Sequence, residues 1–259
     1  MWYKKSVAIV LPTYREKRSI ARTIREFDAS GYVDEIIVVD NNAESGTENE
    51  VKKTRARLIK ESQQGYGYAI QTGINNTKAD LIIIAEPDGS FNGKDIVKLL
   101  AYSDDFDMVF GSRTHVPLIH KGSDMNFVKR IGDVILGKLV TVLFLCSPLT
   151  DLGCSFRLTS RKAWERIALE CLAGDGIFAT EWVLVAAKNK IKFMEIPVNY
   201  RARVGKSTTG DTLAEKIVRW GGRKFFYIWK VWFYKITRQR LYQRDGLVER
   251  FFPGVKGKS

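Results

Sequence analysis

Two carboxylates one residue apart close an apolar run in Ile84-Ala85-Glu86-Pro87-Asp88-Gly89. At a strand end leading into a turn, both side chains reach one hard divalent cation. Mg²⁺ or Mn²⁺ held in this way keeps open positions for the oxygens of a diphosphate. The chemistry is then a metal bridge to a leaving group. Glu86 and Asp88 are the candidate metal ligands, with Asp88 the stronger of the two. The competing reading is a Pro-Asp-Gly turn beside a solvated glutamate.

Polar clusters also close the earlier apolar runs. Val10-Leu11 leads into Pro12, Tyr14 and Glu16, and Ile37-Val38-Val39 leads into Asp40, Asn41 and Asn42. The segment Gln64-Gly65-Tyr66-Gly67-Tyr68-Ala69-Ile70 opens a helical pattern. It is not a dinucleotide fingerprint, because position 70 is Ile and the segment follows the third apolar run, not the first. Later come Phe110-Gly111-Ser112-Arg113, then Lys129-Arg130-Ile131-Gly132-Asp133, then Thr150-Asp151-Leu152-Gly153-Cys154-Ser155-Phe156-Arg157. Arginine forks suit phosphate recognition. His115 and His120 share one loop, and no Gly-x-Ser-x-Gly elbow accompanies them, so a hydrolase triad has no support.

Taken in order, these motifs resemble family 2 glycosyltransferases of the GT-A fold, and among them the polyprenyl-phosphate branch exemplified by dolichyl-phosphate mannosyltransferase. The resemblance covers residues 1–210 and extends to Arg201-Ala202-Arg203-Val204-Gly205-Lys206-Ser207. It implies metal-dependent, inverting transfer of a sugar, mannose or glucose, from a nucleotide diphosphate to a polyprenyl or dolichyl phosphate. By the same resemblance, Pro12, Tyr14, Glu16, Asp40 and Asn42 hold the nucleoside, and Gly67 lets bare backbone approach the nucleotide. Glu86 and Asp88 hold the metal, while Arg203, Lys206 and Ser207 form a loop that folds over the donor diphosphate. Arg113, Lys129 and Arg130 bind the acceptor phosphate. Asp88, Arg113 and Asp151 are the catalytic candidates, and Asp151 is the natural base should the acceptor be a saccharide hydroxyl. Four positions depart from the family pattern: Glu86 replaces Asp, Ser90 replaces Gln, Asp133 replaces Asn and Cys154 replaces Ser. They leave open the number of protein ligands on the metal and the identity of donor and acceptor.

These residues need a scaffold that brings strand ends together. Apolar runs at Val7 to Leu11, Glu35 to Val39, Arg57 to Lys60, Leu81 to Ala85 and Asp107 to Phe110 alternate with helical patterns at Arg18 to Ala29, Gly67 to Asn76 and Lys94 to Tyr102. That alternation predicts an α/β fold, a Rossmann-like, mostly parallel sheet flanked by helices, with ligands beyond the carboxyl ends of the strands. A helix around Val134 to Leu145, another at Thr180 to Asn189 and a strand at Lys192 to Val198 follow.

The chain has 259 residues, 45% hydrophobic and 27% charged, which excludes wholesale disorder and fits one large domain with a small appendage. We read a catalytic domain over 1–210 and amphipathic membrane-contact helices with a basic tail over 211–259. The net charge of +13 calls for an anionic partner. From Arg219 to Arg244 there are eight basic residues and no acidic one, interleaved with aromatic residues. Such a segment suits either a nucleic acid or an anionic membrane surface. The density of Trp and Tyr beside Lys and Arg favours the headgroup level of a membrane over base stacking, hence a lipid surface and no nucleic acid. An aromatic tail is also a surface for a membrane-protein partner or a second copy, in the extreme case as a docking subunit without catalysis. Val134 to Pro148 and Phe225 to Ile236 are too short or too interrupted by lysine to span a bilayer. Three cysteines without paired spacing and an N-terminus lacking a signal-type apolar region place the expected body on the cytoplasmic face of a membrane, as a peripheral protein.

Overall fold

Strands buried on both faces lose the alternation of polar and apolar residues, and the two innermost runs here, Val7–Thr13 (β1) and Leu81–Ile84 (β4), are buried at every position. The computed structural model describes residues 1–205 and 221–237. The remaining strands are β2 (Glu35–Asp40), β3 (Arg57–Lys60), β5 (Met108–Ser112), β6 (Arg157–Ser160) and β7 (Phe193–Pro197). They form a seven-stranded sheet of order β3-β2-β1-β4-β6-β5-β7. All pairings are parallel except those of β6, which runs antiparallel between β4 and β5. The carboxyl ends of β1, β2, β4 and β5 therefore share one edge of the sheet.

The helices are α1 (Ile20–Asp28), α2 (Thr47–Lys52), α3 (Tyr66–Asn75), α4 (Ile96–Ala101), α5 (Phe127–Phe144), α6 (Arg161–Ile167), α7 (Phe178–Lys188) and α8 (Gly222–Thr237). Successive strand residues point to opposite faces, so β1 supplies Val10 to one core and Val7, Ile9 and Leu11 to the other. The first core lies under α3, α6 and α7, and the second under α1 and α4.

Five elements differ from the sequence reading, two of them the short helices α2 and α6, which it does not contain. Helix α5 starts seven residues before the expected Val134, at Phe127, because the Asn126 side chain accepts from Lys129 N at 2.9 Å and caps it. Strand β6 was hidden because its first residue is an arginine with no charge partner. Helix α8 does not stand apart from the body. Ile228 and Val231 are buried in the first core, Trp232 Nε1 donates to Leu143 O at 3.1 Å, and Arg223 pairs with Asp175 at 2.6 Å. The three cysteines form no disulfide.

Arg157 sits in the middle of the sheet, opposite Ile84 on one side and Phe110 on the other. Its guanidinium donates to the carbonyls of Leu152 at 2.9 Å, Cys154 at 2.5 Å and Ala179 at 2.6 Å, over the rings of Phe110 and Trp182. Backbone dipoles thus replace a counter-ion, and the segment before β6 is pinned to α7. Arg157→Met removes the donors of the buried Leu152 and Cys154 carbonyls, while Ala179 O, inside α7, keeps its helical partner. We expect a loss of about 2–4 kcal/mol, read as a lower urea midpoint at unchanged slope; a midpoint equal to wild type would show that the carbonyls need no donor.

Candidate active site

A cavity of about 530 Å³ opens at the shared strand edge. Glu86 and Arg203 are on its wall, and Asp88 lies behind Arg203. Asp88 is 2% exposed; its Oδ1 accepts from Ser90 N at 2.9 Å, its Oδ2 lies 3.1 Å from Arg203 Nη2, and its carbonyl accepts from Val204 N at 2.8 Å. Glu86 Oε2 is 3.9 Å from the same guanidinium nitrogen. Burial and then the charge of Asp88 push the Glu86 carboxyl up to about 7, against the pull of Arg203. Two carboxylates this close resist joint ionisation unless a cation neutralises them, and Arg203 is that cation here. The donor set fits a hard divalent ion: two protein carboxylates, with the rest of the shell left to phosphate oxygens and water. Among the described residues no third acidic, histidine or cysteine side chain joins a metal-sized group.

At one end of the cavity the end of β1 presents Pro12, and the turn after it Tyr14 and Glu16. Glu16 Oε2 accepts from Tyr14 N at 2.7 Å, Arg15 N at 2.9 Å and Thr13 Oγ1 at 3.1 Å, so this carboxylate shapes the turn that carries it. After β2 the picture departs from expectation. Asp40 is spent on Ala43 N at 2.8 Å, and Asn42, at φ +58°, points its amide to Gln64 Oε1 at 3.0 Å; neither is on the wall. Their neighbour Asn41, which the motif reading passed over, is on the wall and 4% exposed. It donates to Glu61 O at 2.9 Å and Gln63 O at 2.8 Å and accepts from Gly65 N at 2.7 Å, tying the end of β2 to the start of α3. The signal was present as a buried-capable amide between two strand ends.

Gly67 also differs from its expected role. Its N–H donates to Gly174 O at 2.8 Å, and a β-carbon there would lie 2.0 Å from Ala173 O. The bare backbone serves close packing of α3 on residues 173–174, while Gly65 and Tyr66 face the cavity.

The opposite end is cationic. Arg113, 9% exposed, grips Asp151 through Nε to Oδ2 and Nη2 to Oδ1, both 2.8 Å, and through its backbone N–H at 2.9 Å; its guanidinium lies 5.3 Å from the Tyr200 ring centre. Burial opposes ionisation of Asp151, but the charge and hydrogen bonds of Arg113 hold its carboxyl well below the usual range. Asp151 is covered by Arg113 and is not on the wall. Lys129 is on the wall, 3.3 Å from Asp124 Oδ2, with its ammonium pushed down by burial and by Arg113. Arg130 is not, and its guanidinium lies over the Phe127 ring at 5.6 Å. Adjacent helix positions point about 100° apart, so only one of the pair can face the cavity. Lys224 of α8, absent from the motif reading, is on the wall and 3.1 Å from Asp133 Oδ1. Arg203 is in place, whereas Lys206 and Ser207 lie outside the described residues. His115 and His120 are exposed and away from the wall.

Asp151→Asn leaves a buried guanidinium without counter-charge, at a cost of about 3–5 kcal/mol. Because the folded carboxyl is depressed, the contribution of the pair is complete above the ordinary value of 3.8 and is lost as pH falls below it. The stability gap between wild type and Asp151→Asn, read by urea denaturation, should be flat from about pH 7 to 5 and narrow below about pH 4. A gap that closes already near neutrality would mean the pair is not held as described.

Comparison with known proteins places this geometry. Residues 8–167 match the family model described as glycosyl transferase family 2. A low-salt glycan biosynthesis hexosyltransferase of Haloferax volcanii is 27% identical over 208 residues, 78% of this chain and 49% of the relative, so the chain spans about half of that protein's length. A dolichyl-phosphate hexose transferase of the same organism is 25% identical over 205 residues, 78% of this chain and 85% of the relative. Glucosyl-3-phosphoglycerate synthase of Mycobacterium tuberculosis, solved with Mn²⁺, UDP and glucosyl-3-phosphoglycerate, superposes with a TM-score of 0.62 at 14% identity, covering 94% of this chain and 82% of that one. The sheet with its flanking helices is the GT-A fold. With the family model matched from β1 through α6, the chain belongs to glycosyl transferase family 2.

Proposed function

We propose that the chain transfers a hexose, mannose or glucose, from a nucleotide-diphosphate donor to a polyprenyl or dolichyl phosphate at an anionic membrane surface, with inversion at the anomeric carbon. The observation that carries this reading is one cavity with Glu86 and the Arg203 that screens Asp88 on its wall at the end of β4, and a cationic wall after β5. Pro12, Tyr14, Glu16 and the Asn41 turn would take the nucleoside, and Glu86 and Asp88 would ligate Mg²⁺ or Mn²⁺. When bound, that ion supplies neutralisation of the charge developing on the leaving diphosphate. Arg203 now neutralises both carboxylates, and once relieved of them it has a second anion, the diphosphate, within the same cavity. Lys206 and Ser207 belong to this proposal as its continuation. The M. tuberculosis synthase solved with Mn²⁺ and UDP supports such a donor site.

For the acceptor, Arg113 and Lys129 present positive charge, and the Asp124 carboxylate on the same wall is engaged by Lys129 at 3.3 Å and by the Tyr200 hydroxyl. A phosphate monoester is already ionised at neutral pH and needs no base. The competing reading, attack by a saccharide hydroxyl with Asp151 as base, is weakened because Arg113 occupies both oxygens of that carboxylate and keeps it a poor proton acceptor. The H. volcanii dolichyl-phosphate hexose transferase supports a lipid phosphate.

A membrane surface is supported by α5 and α8, which pack together and leave large apolar side chains outside. Leu145 at the end of α5 is 82% exposed and Phe226 on α8 74%, with Phe127, Ile135, Val142 and Phe233 also exposed. Lysine and arginine flank them, the combination that seats a helix among anionic headgroups. Among the described residues no helix is long and apolar enough to cross a membrane. The same surface would accept a membrane protein or a second copy.

Two outcomes test the proposal. Transfer from radiolabelled UDP- and GDP-sugars to a polyprenyl phosphate should require Mn²⁺ or Mg²⁺ and fall at least ~100-fold in Asp88→Ala, about 2.7 kcal/mol of barrier; equal rates would remove the metal reading. The protein should float with phosphatidylglycerol vesicles in a salt-sensitive way that Phe226→Ser with Phe233→Ser abolishes. Tight RNA binding without flotation would instead favour a nucleic-acid module.

A further inference from the structure

Resting on the acceptor reading above, we infer that Lys224 and Gly153 complete a phosphate-monoester subsite with Arg113, so that helix α8 supplies a specificity residue to the transfer reaction. The two cations converge on one spot. A β-carbon placed on Gly153 would lie 2.9 Å from Lys224 Nζ and 3.1 Å from Arg113 Nη2, with Asp151 Oδ1 at 3.7 Å. An ammonium and a guanidinium brought this close in a half-buried site repel one another, and the wall holds them there with carboxylates from behind: Asp151 for Arg113 and Asp133 for Lys224, the latter at 3.1 Å. The Asp133 restraint is incomplete, since its buried Oδ2 has no hydrogen-bond partner. Lys224 has three N–H donors and spends one on Asp133 Oδ1, so it keeps donor capacity on the cavity wall, and the missing side chain of Gly153 keeps the floor between the two nitrogens open. An oxyanion with three equivalent oxygens satisfies both cations at once, as a neutral hydroxyl does not.

The position of Lys224 links acceptor capture to seating on a surface. Phe225 and Phe226, the next two residues, are exposed, while Ile228 and Val231 anchor the helix in the core. One short helix thus carries an apolar outer face and a cation on the cavity wall. A phosphate on a lipid reaches the cavity along that helix, whereas a soluble phosphorylated acceptor would reach it without the surface.

The test uses the full chain with Lys224→Met, Lys224→Arg and Gly153→Ala, assayed against a polyprenyl monophosphate in phosphatidylglycerol vesicles and against phosphoglyceric acid in solution, with inorganic phosphate as competitor. We expect Lys224→Met to raise the acceptor KM at least tenfold and to weaken competition by inorganic phosphate equally, with donor KM and vesicle binding unchanged. Lys224→Arg should restore most of the acceptor affinity. Gly153→Ala should reproduce the KM effect with Lys224 intact, so a poorly folded Lys224→Met protein leaves the inference testable. Unchanged acceptor KM in both Lys224→Met and Gly153→Ala overturns it. Glycosylation of phosphoglyceric acid alone, still dependent on Lys224, would retain the subsite and remove the lipid acceptor. Transfer to an acceptor without phosphate, with no competition by inorganic phosphate, would remove both.

Discussion

The Arg113–Asp151 ion pair fixes the rest of the site. It joins the end of β5 to the segment leading into β6, at the point where an antiparallel strand has been inserted into an otherwise parallel arrangement. A bidentate pair with an additional backbone N–H on the same carboxylate has little angular freedom, so the guanidinium presents one edge to the cavity and cannot rotate away. Glu195 continues the lattice from below, accepting from the backbone N–H groups of Thr150 and Asp151 at 2.9 Å. Neither Asp151 nor Glu195 touches the cavity, yet together they decide where its positive charge stands.

The same economy recurs along the strand edge. Three arginines are buried or half-buried there, each neutralised differently: Arg113 by a carboxylate, Arg157 by three carbonyls and Arg203 by the strand-end acidic pair. Only the third arrangement is exchangeable. Breaking the first leaves an uncompensated charge and breaking the second leaves buried carbonyls, both costly. The Arg203 contacts involve a Glu86 that is still partly solvated and whose carboxyl is pushed up by burial and by its neighbour. The site is therefore rigid at its Arg113 wall and more yielding at the Glu86–Asp88 pair.

How far this could be read from sequence depended on whether a residue's partner was local. Glu86, Asp88, Pro12, Tyr14 and Glu16 announced themselves because a polar residue ending a buried apolar run has few places to go except the strand edge. Asp40 and Asn42 shared that position, but Asp40 turned to its own loop and Asn42 to Gln64, while Asn41 between them faces inward; the period of two along the strand runs on into the turn and selects the middle residue. Gly67 had the right residue type for close approach, but what approaches is the backbone at 173–174, more than a hundred positions away. Arg130 and Lys129 were indistinguishable until the start of α5, set by the Asn126 cap, fixed which of them faces the cavity. Strand β6 went unseen because a charged residue at the centre of a sheet contradicts every local preference and is explained only by three carbonyls from distant segments.

Lys224 shows the same limit from the other side. Among aromatic and basic residues it reads as one more headgroup contact, and nothing in its neighbours sets it apart. What distinguishes it is the orientation of α8, and that is dictated by apolar residues: Ile228 and Val231 enter the core, and in a helix positions separated by three or four residues share a face. Lys224 precedes Ile228 by four and Val231 by seven, so burying those two turns the lysine toward the body, while Phe225, Phe226 and Trp229 are turned outward. The polar residue is placed by the hydrophobic ones. An amphipathic helix with an aromatic outer face is in this way committed, by its packing stripe, to deliver a charge to the cavity beneath it.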